Sequence, residues 1–222
     1  MPVDIKIPVG HVSVAADLWL PDSPYGIVVF VHGSGSSRHS PRNRMVAERL
    51  RTRRFGSLLA DLLSPTEEEL DRVSGVLRFD IDLLTERVVA IIDRLGHRED
   101  TVRLPIGLFG ASTGAAAALL AAARRPELVR AVVSRGGRPD LAAAGLATVT
   151  APTLLIVGGA DMQVLELNRR AARQLRTVCR LRVIPEATHL FEEPGALEEV
   201  AEQAAEWFET YLSPAASSSE PG

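Results

Sequence analysis

A regular alternation of short apolar runs and longer helical segments constrains the fold of this chain more than any other feature. The apolar runs begin near residue 26 and read GIVVFVHG, GSLLADLL, LPIGLFGA, LVRAVVSRGG, PTLLIVGGAD and CRLRVIPEA. Continuous apolar runs of this length are typical of strands that are buried on both faces of a parallel sheet. Strands separated by helices predict an α/β fold, with a mostly parallel sheet covered by helices on both faces.

The first twenty residues follow a different pattern, in which apolar and polar residues alternate. They predict an antiparallel hairpin that turns near Gly10 and buries one face. Helical spacing predicts helices over residues 41–54, 80–95, 113–125, 164–176 and 195–212. Gly96 is expected to end the second of these helices. The segment 64–79 is interpreted as a polar excursion, and residues 138–149 as a short helix or loop.

Length and composition indicate one soluble-type globular unit. The chain has 222 residues, enough for a domain with a sizeable core. It contains neither an internal repeat nor an inter-domain linker, so residues 1–212 are predicted to form a single domain. Residues 213–222 are rich in Ser, Pro and Ala, and this tail is predicted to be disordered. The formal net charge of −3 does not indicate a nucleic-acid or membrane-surface binder.

Cysteine content and hydropathy bear on the compartment. Cys179 is the single cysteine, which excludes an internal disulfide and a cysteine-based metal site and fits a reducing environment. No apolar window reaches the roughly 18 residues of a membrane span. The first ten residues lack the pattern of a signal peptide. We therefore expect a cytoplasmic protein that binds neither membrane nor nucleic acid.

The stretch GASTG matches the pattern G-x-S-x-G at Gly110, Ser112 and Gly114. A serine on a sharp turn between a strand and a helix has an exposed hydroxyl, and the glycines let the two elements approach closely. The alternative is that Ser112 is an ordinary helix N-cap. The position of the motif between an apolar run and an Ala/Leu helix favours a nucleophile.

A nucleophilic serine needs a base and an acid, which in this type of site follow it in the order acid, then histidine. Asp161 ends the run LLIVGGAD, and His189 lies on the loop after the last predicted strand. The order Ser112, Asp161, His189 is therefore met, with each residue at a strand terminus. These three residues are predicted to form a catalytic triad.

Other acids compete for the role assigned to Asp161. Glu166 follows it by five residues and is expected on the next helix. Glu192 and Glu193 closely follow the histidine and are expected to open the final helix, where acidic residues favour the N-terminal end. Asp161 is better placed because it stands at the strand end.

The loop HGSGSS after the third strand is predicted to complete an oxyanion hole. One donor is the backbone N–H of Thr113, the residue after the candidate nucleophile. The second is assigned to the N–H of Ser34, with Gly35 as the alternative one residue along. His32 is interpreted as a structural residue that binds loop backbone.

The segments VVFVHGSGSS, FGASTGAAAA, APTLLIVGGAD and PEATHLFEEPGALEEV together resemble the α/β-hydrolase superfamily, and more closely its dienelactone-hydrolase-like branch. The resemblance covers nearly the whole chain. It implies an eight-stranded sheet whose second strand is antiparallel, and a nucleophile–acid–histidine triad. It also implies hydrolysis of ester-like bonds, with no cofactor or metal. Dienelactone hydrolases proper use a cysteine nucleophile, whereas this chain has Ser112.

Two further features bear on the substrate. The segment before Asp161 is too short for a helical cap, which predicts an open site without a substantial cap domain. Basic residues are expected on the rim of this site, namely Arg38, His39, Arg42, Arg44, Arg135 and Arg138. Because arginine binds carboxylate and phosphate in a bidentate manner, these residues suggest an anionic substrate. The alternative is that they cap helices or pair with surface acids.

Taken together, these patterns predict a serine hydrolase that cleaves small carboxylic esters through an acyl-enzyme on Ser112. A thioesterase, lactonase or amidase with the same triad is the alternative among enzymes. A catalytically idle hydrolase fold that binds a small molecule is the alternative from another class. The protein is expected to be a monomer or a homodimer.

Overall fold

A computed structural model describes residues 1–214, and its centre is one sheet of eight strands. The strands are β1 (Val3–Val9), β2 (Val12–Trp19), β3 (Gly26–Val31), β4 (Phe55–Ala60), β5 (Ile106–Ala111), β6 (Val129–Arg135), β7 (Thr153–Gly158) and β8 (Cys179–Ile184). Their order across the sheet is β1-β2-β4-β3-β5-β6-β7-β8. The predicted tail lies, from residue 215 onward, outside the described residues.

The strand directions confirm the predicted architecture. β2 is antiparallel to both of its neighbours, β1 and β4, whereas the strands from β4 to β8 in the sheet order are parallel. The hairpin turns through two residues between Val9 and Val12, with Gly10 at a φ of 69°. The carboxyl ends of β3, β5 and β6 are therefore adjacent, and in parallel sheets ligand sites form at such ends.

Six α-helices connect and cover the strands. They are α1 (Pro41–Thr52), α2 (Pro65–Ser74), α3 (Ile81–His97), α4 (Thr113–Arg124), α5 (Met162–Gln174) and α6 (Ala196–Leu212). Two 3₁₀ segments, Leu77–Phe79 and Pro139–Thr148, complete the described elements. None of the helices within residues 1–214 is long and apolar enough to cross a membrane.

The continuous apolar runs arise because alternate residues of each central strand face opposite sides of the sheet. Val29 and Leu108 pack with the buried faces of α3 and α4. Phe30 and Phe109 point the other way, and they pack with α1 and α6. Six of the seven alanines of α4 are fully buried, which lets this helix lie close to the strands.

The segment 64–79, interpreted from the sequence only as a polar excursion, is for the most part the helix α2. Ser64 and Glu67 form a capping box, in which each side chain accepts a hydrogen bond from the backbone N–H of the other residue. Pro65 occupies the first helical position, and Gly75 ends the helix in the left-handed region at a φ of 67°. The start and stop signals were present in the sequence, but the low apolar content hid the helix.

Gly96 does not end α3, which continues to His97. The buried face of the helix extends through Leu95. A glycine in the last turn costs only about 1 kcal/mol relative to alanine, so packing of this face outweighs it.

The connection between β6 and β7 contains only the 3₁₀ segment Pro139–Thr148, which packs against α4 and α5. Within the described residues no cap domain covers the carboxyl ends of the strands. This confirms the prediction of an uncapped fold.

Candidate active site

Ser112 occupies the sharp turn between β5 and α4, with a φ of 51° and a ψ of −125°. A non-glycine residue rarely adopts a positive φ, and such strain is concentrated at functional sites. The turn is possible because glycine stands where side chains would collide. A Cβ at Gly33 would lie 2.8 Å from the Ser112 Cβ, and a Cβ at Gly114 would meet the carbonyl of Val31. The glycines of this site therefore serve close approach of backbones.

The structure bears on whether Ser112 is a helix cap or a nucleophile. Ser112 is the N-cap residue of α4 by position, yet its side chain makes no capping hydrogen bond. Its carbonyl accepts hydrogen bonds from the N–H groups of Ala115 and Arg138 at 3.1 and 3.0 Å. The backbone of Ser112 thus holds the turn, and its hydroxyl is left for another use.

Asp161 and His189 are brought together although 28 residues separate them. The distance between Asp161 Oδ2 and His189 Nδ1 is 2.7 Å. Asp161 is also the N-cap of α5, because its Oδ1 accepts a hydrogen bond from the N–H of Val164 at 3.4 Å. The helix cap fixes one carboxylate oxygen and directs the other at the imidazole. Donation from Nδ1–H to the carboxylate leaves Nε2 as the unprotonated nitrogen.

The loop that carries His189 is held from two sides. On one side, the N–H of Ala160 donates to the carbonyl of Ala187 at 3.0 Å, next to Gly158, where a Cβ would collide with this loop. On the other side, Glu193 Oε1 accepts a hydrogen bond from the N–H of Thr188 at 3.0 Å. This bond holds the pKa of Glu193 below its usual value. The position of the histidine therefore depends on contacts that precede and follow it.

Two residues in this region were missed by the sequence reasoning. Gly136 has a φ of 51°, and a Cβ there would lie 3.5 Å from His189 Cε1. Asn168 is fully buried on α5, and its Nδ2 donates to the carbonyl of Gly137 at 2.9 Å. The signal for Asn168 is a lone amide on the apolar face of a helix, a position that requires hydrogen-bond partners.

Ser112 and His189 line the same cavity, which has a volume of about 220 Å³. The other polar residues around it include Ser34, Arg42 and Arg135. No direct hydrogen bond joins the Ser112 hydroxyl to His189 within residues 1–214. Catalytic hydrogen bonds are often long or absent in free enzymes and tighten when substrate binds.

The two predicted oxyanion donors lie side by side. The N–H of Ser34 donates to Thr113 Oγ1 at 3.0 Å, so the side chain of one residue binds the backbone of the other. Gly35, the alternative donor, has a φ of 70°. The Ser34 N–H therefore points at the start of α4, where it already donates its hydrogen bond to the Thr113 hydroxyl.

His32 has the structural role that the sequence suggested. Its Nδ1 donates to the carbonyl of Gly33 at 2.9 Å, and its Nε2 accepts from the N–H of Leu62 at 3.2 Å. Burial lowers the pKa of His32, which keeps the imidazole neutral. A separate cavity of about 90 Å³ lies behind the same loop, and neither Ser112 nor His189 lines it.

The arginines on the rim divide into two groups. Arg38 forms ion pairs with Asp4, Asp17 and Asp61 at 3.1, 3.0 and 3.4 Å. The side chain of its sequence neighbour His39 meets Arg44 through Nδ1 at 3.1 Å, and the His39 N–H donates to Ser37 Oγ at 3.2 Å. Neither Arg38 nor His39 lines the cavity. The structure thus gives Arg38 the role of joining β1, β2 and the loop after β4.

Arg42 and Arg135 remain at the cavity. Arg42 approaches Glu192 at 3.7 Å on the rim. Arg135 is the last residue of β6, is 8% exposed, and forms no ion pair within the described residues. Arg138, by contrast, makes a bidentate pair with Asp140 at 2.9 and 2.8 Å.

The remaining candidates do not line the cavity beside Ser112. Glu166 is on α5 and pairs with Arg170 at 2.9 Å, as expected for an acid on that helix. Glu192 and Glu193 do not open α6, which begins at Ala196, but lie in the loop before it. Burial raises the pKa of the Cys179 thiol to about 11, so this residue stays protonated at neutral pH.

Comparison with known proteins shows the family of the chain. A sequence profile described as the Dienelactone hydrolase family matches residues 14–213. The chain belongs to the dienelactone hydrolase family. Within this hydrolase family, a crystal structure of dienelactone hydrolase from Anabaena variabilis is 56% identical to the chain, with a TM-score of 0.94. That similarity covers 96% of this chain and 98% of the Anabaena chain.

More distant and longer relatives add two facts. The dienelactone-hydrolase-family fold also matches Est1E from Butyrivibrio proteoclasticus, at 17% identity and a TM-score of 0.77, over 92% of this chain and 97% of the other. Two strains of Mycobacterium tuberculosis contain a protein named "Putative phosphoribosyl transferase" that is 56% identical over 94% of this chain. The chain spans about half the length of these curated relatives, 46% of each.

Proposed function

We propose that this protein is a serine hydrolase that cleaves small carboxylic esters through an acyl-enzyme on Ser112. One observation carries the proposal. A strained serine whose hydroxyl does not cap its helix shares a cavity with a histidine that is hydrogen-bonded to a carboxylate. Serine, base and orienting acid are the three components that nucleophilic acyl transfer requires.

Each residue has a distinct role in the proposed reaction. Nε2 of His189 removes the hydroxyl proton of Ser112 as the serine oxygen attacks the acyl carbon. Asp161 keeps the proton on Nδ1 and stabilises the imidazolium that forms. His189 then gives the proton to the departing alcohol oxygen, and the C–O bond of the ester breaks. In the second half, His189 takes a proton from water as the water oxygen attacks the acyl carbon. His189 then returns a proton to Ser112 Oγ as the bond from Oγ to the acyl carbon breaks, which releases the carboxylic acid.

The negative oxygen of each tetrahedral intermediate needs hydrogen-bond donors. The N–H of Thr113 belongs to the first turn of α4, where no helical carbonyl can accept it. The Ser34 N–H becomes the second donor when the oxyanion replaces Thr113 Oγ1 as its acceptor. The exchange is favourable because a hydrogen bond to a charged oxygen is stronger than one to a neutral hydroxyl.

The size and access of the cavity favour a small substrate. A volume of about 220 Å³ is below the range of roughly 300–1,000 Å³ typical of pockets for drug-sized ligands. The lack of a cap over the described strand ends leaves no apolar tunnel for a long acyl chain. Thioesters, lactones and amides remain the alternative substrates, because the same groups serve all acyl transfers.

The Mycobacterium tuberculosis relatives are about twice as long as the part that this chain matches, and their name refers to the whole protein. We do not extend phosphoribosyl transfer to this chain, since the groups gathered around Ser112 fit acyl chemistry. The remaining alternative is a binding protein without catalytic activity, which turnover and labelling at Ser112 distinguish from an enzyme.

Turnover of a short-chain p-nitrophenyl ester should fall at least about 10³-fold in Ser112→Ala. A fluorophosphonate probe should label the wild-type chain on Ser112, as located by peptide mass spectrometry. Cys179→Ala is the matched control for a cysteine nucleophile, and it should retain activity and labelling. Wild-type turnover no faster than that of Ser112→Ala, with no labelling, would establish the binding protein instead.

A further inference from the structure

The cavity beside Ser112 contains two positive charges whose hydrogen-bonding capacity is unused. Arg135 is more than nine-tenths buried, and its Nε–H has no hydrogen-bond partner within residues 1–214. The buried Nε–H of Arg42 likewise lacks a partner there. Most other arginines near this edge of the sheet are ion-paired. The Arg135 guanidinium lies 6.0 Å from the centroid of the Phe191 ring, a cation–π contact that offsets only part of the cost of burying the charge without a carboxylate partner.

No carboxylate lines this cavity among the described residues. The nearest acid to either guanidinium is Glu192, which is 3.7 Å from Arg42, and its side chain is 67% exposed to solvent. Burial, together with repulsion from Arg42, lowers the pKa of Arg135 to about 10. Arg135 is therefore charged at neutral pH, and its guanidinium shares with that of Arg42 a cavity that no described carboxylate lines.

The amino-terminal end of α1 adds to this positive field. Ser40, Arg42 and Asn43, from its cap and first turn, line the cavity, and the first turn contains no acidic residue. Helix amino termini favour anions through their free N–H groups and the helix dipole. The buried, unpartnered Arg135 enters the same cavity from the end of β6, so two independent elements converge there.

We infer that this cavity binds a phosphate monoester dianion carried by the substrate, held between Arg135, Arg42 and the amino terminus of α1. The inference rests on the proposed function, since it assigns the ester cleaved at Ser112 to a phosphorylated compound. Arg42 has only the solvent-exposed Glu192 as a partner, so a dianion that displaces Glu192 balances both guanidinium charges, whereas one carboxylate balances only one. A phosphate also presents three terminal oxygens, which suits donors that approach from two different elements.

The substrate preference of the enzyme tests this assignment. We expect kcat/KM for 2-acetoxyethyl phosphate to exceed that for the neutral 2-acetoxyethanol by about tenfold to a hundredfold, as charge-assisted contacts of this kind allow. The carboxylate analogue 3-acetoxypropanoate should lie between the two. Arg135→Met and Arg42→Met should each reduce the ratio of phosphorylated to neutral kcat/KM about tenfold. Arg44→Met, on the same helix but paired with Asp17 at 2.8 Å, should leave the ratio unchanged.

Binding can be tested separately from catalysis. Inorganic phosphate should raise the unfolding temperature of both the wild type and Ser112→Ala, relative to sodium chloride of equal ionic strength. Inorganic phosphate should not raise the unfolding temperature of Arg135→Met. Without phosphate, Arg135→Met should be at least as stable as the wild type because it removes an uncompensated buried charge. If that variant does not fold, Arg42→Met, whose side chain is partly exposed, provides the same comparison.

The possible outcomes separate this inference from the proposed function. Phosphate stabilisation of an inactive wild type would refute ester hydrolysis but support the anion site. Activity with equal kcat/KM for the phosphorylated and neutral esters, together with no stabilisation by phosphate, would overturn the anion site and leave ester hydrolysis intact. Equal preference for carboxylate and phosphate would overturn the assignment to a dianion. Phosphate stabilisation without any substrate preference would assign a free phosphate ion and overturn the inference as stated.

Discussion

The two halves of the candidate active site differ in how completely they are assembled in the free protein. On the acid–base half, His189 and Asp161 are joined at 2.7 Å, and the carboxylate is fixed as the cap of α5. On the oxyanion half, the N–H of Ser34 is bound to the Thr113 hydroxyl at 3.0 Å. Under the proposed function, the pairing of base and acid is already formed, whereas the Ser34 N–H must exchange its hydrogen bond when substrate binds.

The difference has a physical cause. A histidine that must accept a proton gains from a fixed partner in every state of the reaction. An oxyanion donor has a charged acceptor only while the intermediate exists, and a buried N–H without an acceptor is costly for the rest of the time. The Thr113 hydroxyl satisfies the Ser34 N–H during that time.

The largest loss of activity is expected when Asp161, the acid of the acid–base half, is replaced. Asp161→Asn keeps the size of the side chain and its ability to cap α5. It removes the carboxylate that holds the proton on Nδ1, so kcat should fall about 10³- to 10⁴-fold. The measurement is ester turnover at neutral pH, with circular dichroism to show that the fold is retained.

Glu166→Gln is the matched control for this substitution. It removes the neighbouring acid on α5, which pairs with Arg170 and is remote from the cavity. Its activity should equal that of the wild type. If Glu166→Gln were inactive and Asp161→Asn active, the orienting acid would have to be reassigned.

An intermediate effect is expected from the support of the histidine loop. Glu193→Ala removes the acceptor that holds the N–H of Thr188, and it leaves all three candidate catalytic residues in place. Because small displacements of a catalytic group are costly, kcat should fall about threefold to tenfold. Glu193→Gln retains an acceptor and should restore most of the activity. Equal activity of both variants and the wild type would show that this bond does not position His189.

Much of this site could be predicted from the sequence, because its members follow strands. Ser112, Asp161 and His189 each come after an apolar run, and parallel strands deliver their carboxyl ends to one edge of the sheet. The chain order of the three residues then suffices to group them. Local signals of this kind do not depend on distant contacts.

The sequence does not predict which of the arginines near the site are ion-paired. Arg38 and Arg135 look alike in the sequence, since both follow predicted strands. The partners of Arg38 include Asp4 and Asp17, which come from the amino-terminal hairpin and reach it only through the pairing of β2 with β4. Whether a charged residue is free or paired is a property of such long-range contacts, so it is visible only in the fold.

The smallest change in kcat is expected from a substitution in the oxyanion half. Whether kcat rises or falls distinguishes two roles of the Thr113 hydroxyl. Thr113→Val removes the hydroxyl acceptor but keeps the shape of the side chain and the backbone N–H of residue 113. The oxyanion then no longer competes with the hydroxyl for the Ser34 N–H. Since a neutral hydrogen bond contributes about 0.5–1.5 kcal/mol, kcat should stay level or rise by about twofold to fivefold.

Thr113→Ser separates this effect from packing. It retains the hydroxyl, so its kcat should match that of the wild type, although loss of a methyl group from a residue that is 3% exposed should lower the unfolding temperature slightly. A fall of more than tenfold in Thr113→Val, with Thr113→Ser unaffected, would have the opposite meaning. The hydroxyl would then itself donate to the oxyanion while accepting from Ser34, and the oxyanion half would be as fully assembled in the free protein as the acid–base half.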